Sequence, residues 1–131
     1  GLVYSNMGEY SQALSSHKKA LAIREKTLDA DHPHLANSYN NIGGVYERMG
    51  EYSQALSFHN KALAIREKTL PADHPHLANS YNNIGGVYER MGEYSQALSF
   101  HNKALAIREK TLPADHPHLA NSYNNIGGVY E

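Results

Sequence analysis

Nine histidines and no cysteine in 131 residues make imidazole the first reactive group to account for. The histidines fall in two settings. One is a single residue (His17, His59, His101), and the other is an Asp-His-Pro-His run carrying the pairs His32/His34, His74/His76 and His116/His118. The donor types of Asp73-His74-Pro75-His76 suit zinc or nickel. A tight site needs three or four converging ligands, however, and Pro75 between the two histidines limits convergence. The expectation is that Asp73 caps a helix, that the paired histidines are surface or packing groups, and that no metal or cofactor is held. No nucleophile recurs near His59 at helical spacing, so it reads as a core imidazole with a hydrogen-bond partner and not as a general base. Gly43-Gly44 follows no strand and fails the phosphate-loop pattern. With no cysteine, thiolate catalysis, disulfides and cysteine-based zinc sites are excluded. Catalysis is not expected, because an enzyme needs one special site and here every candidate appears in several copies.

The elements that position these residues repeat. Leu35–His76 recurs letter for letter as Leu77–His118, and Leu119–Glu131 opens a third copy. The first 34 residues match Gly43–His76 except at Leu2, Ser5, Asn6, Ser16, Lys18 and Asp29. A fixed period of 42 residues predicts stacked units, each too small to bury its apolar face alone. The chain therefore reads as one array over residues 1–131: a partial repeat (1–34), two full repeats (35–76, 77–118) and a partial last one (119–131). Each period holds two helical patterns. The first begins near Pro33, Pro75 or Pro117, proline being suited to the opening helical turn. It carries a stripe of Ala36, Tyr39, Ile42, Gly43, Tyr46 and Met49 at three- and four-residue steps, and stops at Gly50. The second runs from Glu51 or Tyr52 to Leu70, with Tyr52, Ala55, Leu56, His59, Ala62 and Leu63 on one stripe. Phe58 and Ile65 widen that stripe, and Ser53, Ser57, Asn60, Lys61, Ala64 and Lys68 face out. Two interior glycines cost about 1 kcal/mol each relative to alanine. Either both serve close packing, or Gly43 does so and Gly44 leaves room for a ligand backbone.

Composition narrows the function classes. Net charge is −1, and each full repeat balances four basic residues against four acidic ones. Stacking such units builds no positive stripe, which argues against nucleic-acid binding. The apolar runs are far shorter than the roughly 20 residues of a membrane-spanning helix, and no secretory signal opens the sequence. No membrane association is expected, and the expected location is the cytoplasm.

The pattern Tyr39, Ile42-Gly43, Tyr46, Gly50, Tyr52, Ala55 and Ala62 resembles the tetratricopeptide signature along the whole chain. The stretch IREKTLPADHPHLANSYNNIG is similar to the longer, kinesin-light-chain kind of that repeat. The resemblance implies an all-α, right-handed superhelical solenoid of antiparallel helix pairs, without catalysis, whose concave face is lined by the first helix of each pair and binds extended peptides. On the matching positions the groove is lined by Asn37, Asn40, Asn41, Gly44, Glu47 and Arg48. It continues through Asn79, Asn82, Asn83, Gly86, Glu89 and Arg90, then Asn121, Asn124, Asn125 and Gly128. Asparagine offers donors and an acceptor, matching the alternating N–H and C=O of an extended strand. The alternative is that these asparagines are solvated or bridge neighbouring repeats. Asn37, Asn40 and Asn41 stand where a clamp for a terminal carboxylate would have lysine or arginine, so no such clamp is implied.

The expected function is a protein-interaction scaffold with a protein or peptide partner. A self-assembling or spacer array stacked end to end is the alternative. Tyr123, Ile126, Val129 and Tyr130 form an apolar face with no second helix after it. The helix starting near Tyr10 is expected to have only a half-helix neighbour in Gly1–Gly8. Ser16, which replaces Phe58 and Phe100, is expected to lie towards the open N-terminal end.

Overall fold

The computed structural model describes residues 2–27, 29–112 and 115–130; residues 1, 28, 113, 114 and 131 and the side chains of residues 2–7 lie outside the description. Every regular element among the described residues is an α-helix: α1 (Leu2–Thr27), α2 (Pro33–Arg48), α3 (Tyr52–Thr69), α4 (Pro75–Arg90), α5 (Tyr94–Thr111) and α6 (Pro117–Tyr130). They form two compact units, residues 1–68 and 69–131. In the first, α2 packs against both α1 and α3. In the second, α5 packs against both α4 and α6, and α4 also touches α6.

Local chemistry sets the helix boundaries, with one change of cap. Pro33 and Pro75 open α2 and α4 as expected, but the capping group is an imidazole and not the Asp73 carboxylate. Nδ1 of His32, His74 and His116 accepts the backbone N–H of His34, His76 and His118, each at 3.1 Å. The residue immediately before the proline holds the cap position, and the aspartate stands one residue too early. In the first unit that aspartate lies instead 3.9 Å from Lys68 Nζ through Asp31 Oδ1.

The ends of α2 and α4 follow the glycine rule. Gly50 and Gly92 adopt φ of 81° and 80°, a left-handed conformation open to a residue without Cβ. Glu51 and Glu93 then donate their N–H groups back to Tyr46 and Tyr88 at 2.9 Å, and Gly50 and Gly92 donate to Glu47 and Glu89 at 3.0 Å. This double bond pattern satisfies carbonyls that a helix end leaves open. The same Met-Gly-Glu-Tyr sequence at Met7–Tyr10 makes no turn. Helix α1 runs through Gly8 without a break, which corrects the expected half-helix packed against a helix from Tyr10. The glycine permits a reversal. What holds one at Gly50 is the packing of α2 on α3, and at Gly8 the intrahelical hydrogen bonds win.

The buried stripe of the first helices is wider than its three- and four-residue spacing predicted. Leu35, Ala36, Ile42 and Val45 are buried on α2, as are Leu77, Ala78, Ile84 and Val87 on α4. Ala55, His59, Ala62 and Leu63 form the buried side of α3, while Ser53, Ser57, Asn60, Lys61, Ala64 and Lys68 face out as expected. Phe58 stacks on Tyr46 with ring centroids 5.6 Å apart and reaches Tyr39 at 6.2 Å. Phe100 repeats this on Tyr88 and Tyr81. The phenylalanine thus covers the first helix of its own pair, and Ser16, on the equivalent face of α1, is exposed.

Candidate functional site

The inner side of each first helix forms a seat for a histidine. His59 and His101 are each 2% exposed. A Cβ added to Gly43 would lie 3.0 Å from the His59 ring, and one added to Gly85 would lie 2.9 Å from the His101 ring. The glycine therefore exists so that an imidazole can lie flat on helix backbone, which settles the close-packing role of Gly43. Asn40 Oδ1 lies 3.0 Å from His59 Nδ1, and Asn82 Oδ1 lies 3.0 Å from His101 Nδ1. An amide oxygen only accepts, so Nδ1 carries the proton and donates. His59 Nε2 faces Glu47 Oε1 at 3.9 Å. Burial, aided by the Arg66 charge, pushes His59 down to about 4. Burial also pushes His101 down, opposed in part by Glu89. Both imidazoles are buried and hydrogen-bonded to an asparagine, as expected of core rings with a partner.

A second polar anchor was not singled out from sequence. Arg66 and Arg108 are buried near the ends of α3 and α5. Arg108 donates to Asn79 Oδ1 on α4 at 3.2 Å, and to Ser122 Oγ (2.9 Å) and the His118 carbonyl (3.2 Å) on α6. It thereby ties three helices together. In the first unit Arg66 donates to Asn37 Oδ1 at 3.1 Å, and Arg24 donates to Ser38 Oγ and to the His34 carbonyl. The signal was present: Arg66 falls at i+7 from His59, on the buried stripe, and Ser38 falls between Leu35 and Ile42 on its own. A charged residue and a hydroxyl on apolar stripes must be paired to be buried.

These anchors divide the asparagines. Asn40 and Asn82 are half-buried and commit their oxygens to histidine. Asn37 and Asn79 are exposed but commit theirs to arginine. The outward stripe that remains on α2 is Asn41, Gly44 and Arg48, spaced i, i+3, i+7, with Asn41 and Arg48 exposed. On α4 it is Asn83, Gly86 and Arg90, with Arg90 exposed. On α6, Asn121, Asn124 and Gly128 are exposed and Asn125 is half-buried. A Cβ added at Gly44 or Gly86 would meet nothing within 4 Å, so these glycines serve no packing. One added at Gly128 would lie 3.5 Å from Glu89 Oε1, so the stripes of α4 and α6 adjoin within the second unit.

The paired histidines are occupied differently from the buried ones. Their rings lie 4.8–5.0 Å apart. Because Nδ1 of His74 accepts the cap bond, its proton sits on Nε2. Metal binding at that nitrogen would move the proton to Nδ1 and break the cap. Among the described residues no three His, Asp or Glu side chains converge, and no helix is long and apolar enough to cross a membrane.

Comparison with known proteins agrees with this geometry. The family model described as tetratricopeptide repeat matches residues 1–68, 67–110 and 76–131. The crystal structure of the nearly identical repeats of a putative kinesin light chain from Podospora anserina is 27% identical, with a TM-score of 0.86 over 97% of this chain and 60% of that one. BtubC (BKLC) from P. vanneervenii is 23% identical, with a TM-score of 0.86 over 94% of this chain and 49% of that one, a likeness of fold. The chain thus spans about half to three-fifths of the solved structures it resembles. None of the proteins of curated function matches it.

Proposed function

The chain belongs to the tetratricopeptide repeat family, and on that premise we propose that the outward stripes of its first helices bind an extended segment of a protein partner. Repeats of this family mediate protein–protein interaction on a non-enzymatic scaffold. The observation that carries the finer reading is the pair Gly44 and Gly86. Each interior glycine costs about 1 kcal/mol against alanine, and neither offsets that cost by packing. The missing side chain lets a backbone approach the helix closely there. Asn41 and Asn83 beside these glycines, and Asn125 on α6, supply donors and acceptors for a strand's amides, and Arg48 supplies a cation for a side chain.

The test begins by selecting peptides from a displayed library against the chain. The best binder is then measured by fluorescence anisotropy on the Gly44→Leu/Gly86→Leu variant. Open space around both positions leaves the melting temperature unchanged or higher. Affinity falls about tenfold or more, because the leucines occupy the approach path. Equal affinity for the variant would place the peptide elsewhere.

A further inference from the structure

The step from one outward stripe to the next sets the form of the segment that fits them. Resting on those stripes as the binding surface, we infer that the partner segment is a polyproline II helix with a three-residue sequence period. It is rich in proline, with one other residue in every turn. In the second unit, Asn83 and Gly86 on α4 and Asn125 and Gly128 on α6 are the same residues at the same helical positions. The two stripes adjoin, since a Cβ added at Gly128 would lie 3.5 Å from Glu89 Oε1 on α4. One buried guanidinium fixes the step between them. Arg108 donates to Asn79 Oδ1 on α4 at 3.2 Å, and to Ser122 Oγ and the His118 carbonyl on α6 at 2.9 and 3.2 Å. Helices in packing contact, as α4 and α6 are, stand about 8–10 Å apart. A segment crossing both therefore meets the same asparagine and the same glycine again after about that distance.

A ligand uses both stripes alike when its own structure repeats over that step. Three residues of β-strand cover about 10 Å, but strand side chains alternate, so the third residue on presents the opposite face. Two residues of strand cover about 6.6 Å and fall short. An α-helix spends its amides on itself and leaves none for asparagine. Polyproline II has three residues per turn and a rise of about 3.1 Å, so it repeats after about 9.3 Å. Its N–H and C=O groups carry no internal hydrogen bonds. Asparagine Nδ2 donates to a carbonyl facing it, and Oδ1 accepts an N–H. Proline has no N–H to give, so the residue that meets Oδ1 in each turn is not proline. Prolines at the other two positions preset the conformation before binding. The glycine seats a flat pyrrolidine ring against the helix backbone.

Fluorescence anisotropy on the intact chain tests this with three labelled peptides of equal length. One is four copies of Pro-Pro-Ala. The second is its block isomer, with all prolines before all alanines. The third is a proline-free alternation of Thr and Ser. The periodic peptide binds about tenfold or more tighter than either of the others, and the Gly44→Leu/Gly86→Leu variant loses it. Equal affinity for the block isomer overturns the three-residue period. Failure of Pro-Pro-Ala to bind overturns the polyproline II form. If the leucine variant then still loses a library-selected or Thr-Ser peptide, the outward stripes stand as the site without this inference. Pro-Pro-Ala binding that the leucine variant leaves unchanged places the segment on another surface and overturns the site and the inference together.

Discussion

At the residue scale, asparagines that look alike in the sequence do opposite work. Asn40 and Asn41 are neighbours of identical chemistry, yet one holds His59 and the other faces out. Helical spacing places both near the polar side of α2. Only the register of α3, which sets His59 on Gly43, decides which is consumed, and that register is a tertiary fact. Replacing Asn40 or Asn82 by alanine leaves a buried imidazole N–H unsatisfied and costs about 1–3 kcal/mol. Asn124→Ala, on a helix with no histidine seated among the described residues, changes stability by less than about 0.5 kcal/mol. Urea titration of the three single variants checks the contrast. Equal destabilisation at all three positions would contradict the assignment of the Asn–His bond.

At the element scale, one tetrapeptide appears in two conformations. Met-Gly-Glu-Tyr ends α2 and α4 with a left-handed glycine and lies inside α1 with a helical one. The sequence marks where a turn is allowed, and the packed neighbour decides whether it forms. This is why the boundaries at Pro33, Gly50 and Pro75 were legible while the continuity of α1 was not. Opposite signs follow for one substitution. Gly50→Ala forces a Cβ into φ of 81° and destabilises by about 1–2 kcal/mol. Gly8→Ala improves an interior helical position by about 0.5–1 kcal/mol. A thermal melt of each variant separates them, and a loss at both positions would show that Gly8 also turns. Gly43 and Gly44 make a second such pair. Alanine at Gly43 crowds the His59 ring and costs about 1–3 kcal/mol, whereas alanine at Gly44 meets open space and stabilises.

At the scale of the whole molecule, the 42-residue identity made the repeat architecture readable at once, because identical units must bury identical faces. What that identity concealed is how much of the interior is polar: His59, His101, Arg66, Arg108 and Ser122 are all buried. Stability built on neutral imidazoles depends on pH with a definite sign. His59 is held at about 4 in the fold, against 6.5 for a free imidazole. The unfolded chain therefore binds the proton first as pH falls. The stabilisation is complete above about pH 6.5 and is lost progressively down to about pH 4, an effect on the order of 3 kcal/mol for this one residue. His101 is shifted in the same direction, with Glu89 opposing, so its contribution adds with the same sign. The expected result is a urea midpoint that is level above about pH 6.5 and falls between about pH 6.5 and about pH 4. Circular dichroism at 222 nm, the usual helix band, follows the transition. A midpoint level across that window would mean that the buried rings carry a proton in the fold. The pairing of His59 Nε2 with Glu47 would then have to be read as an ion pair.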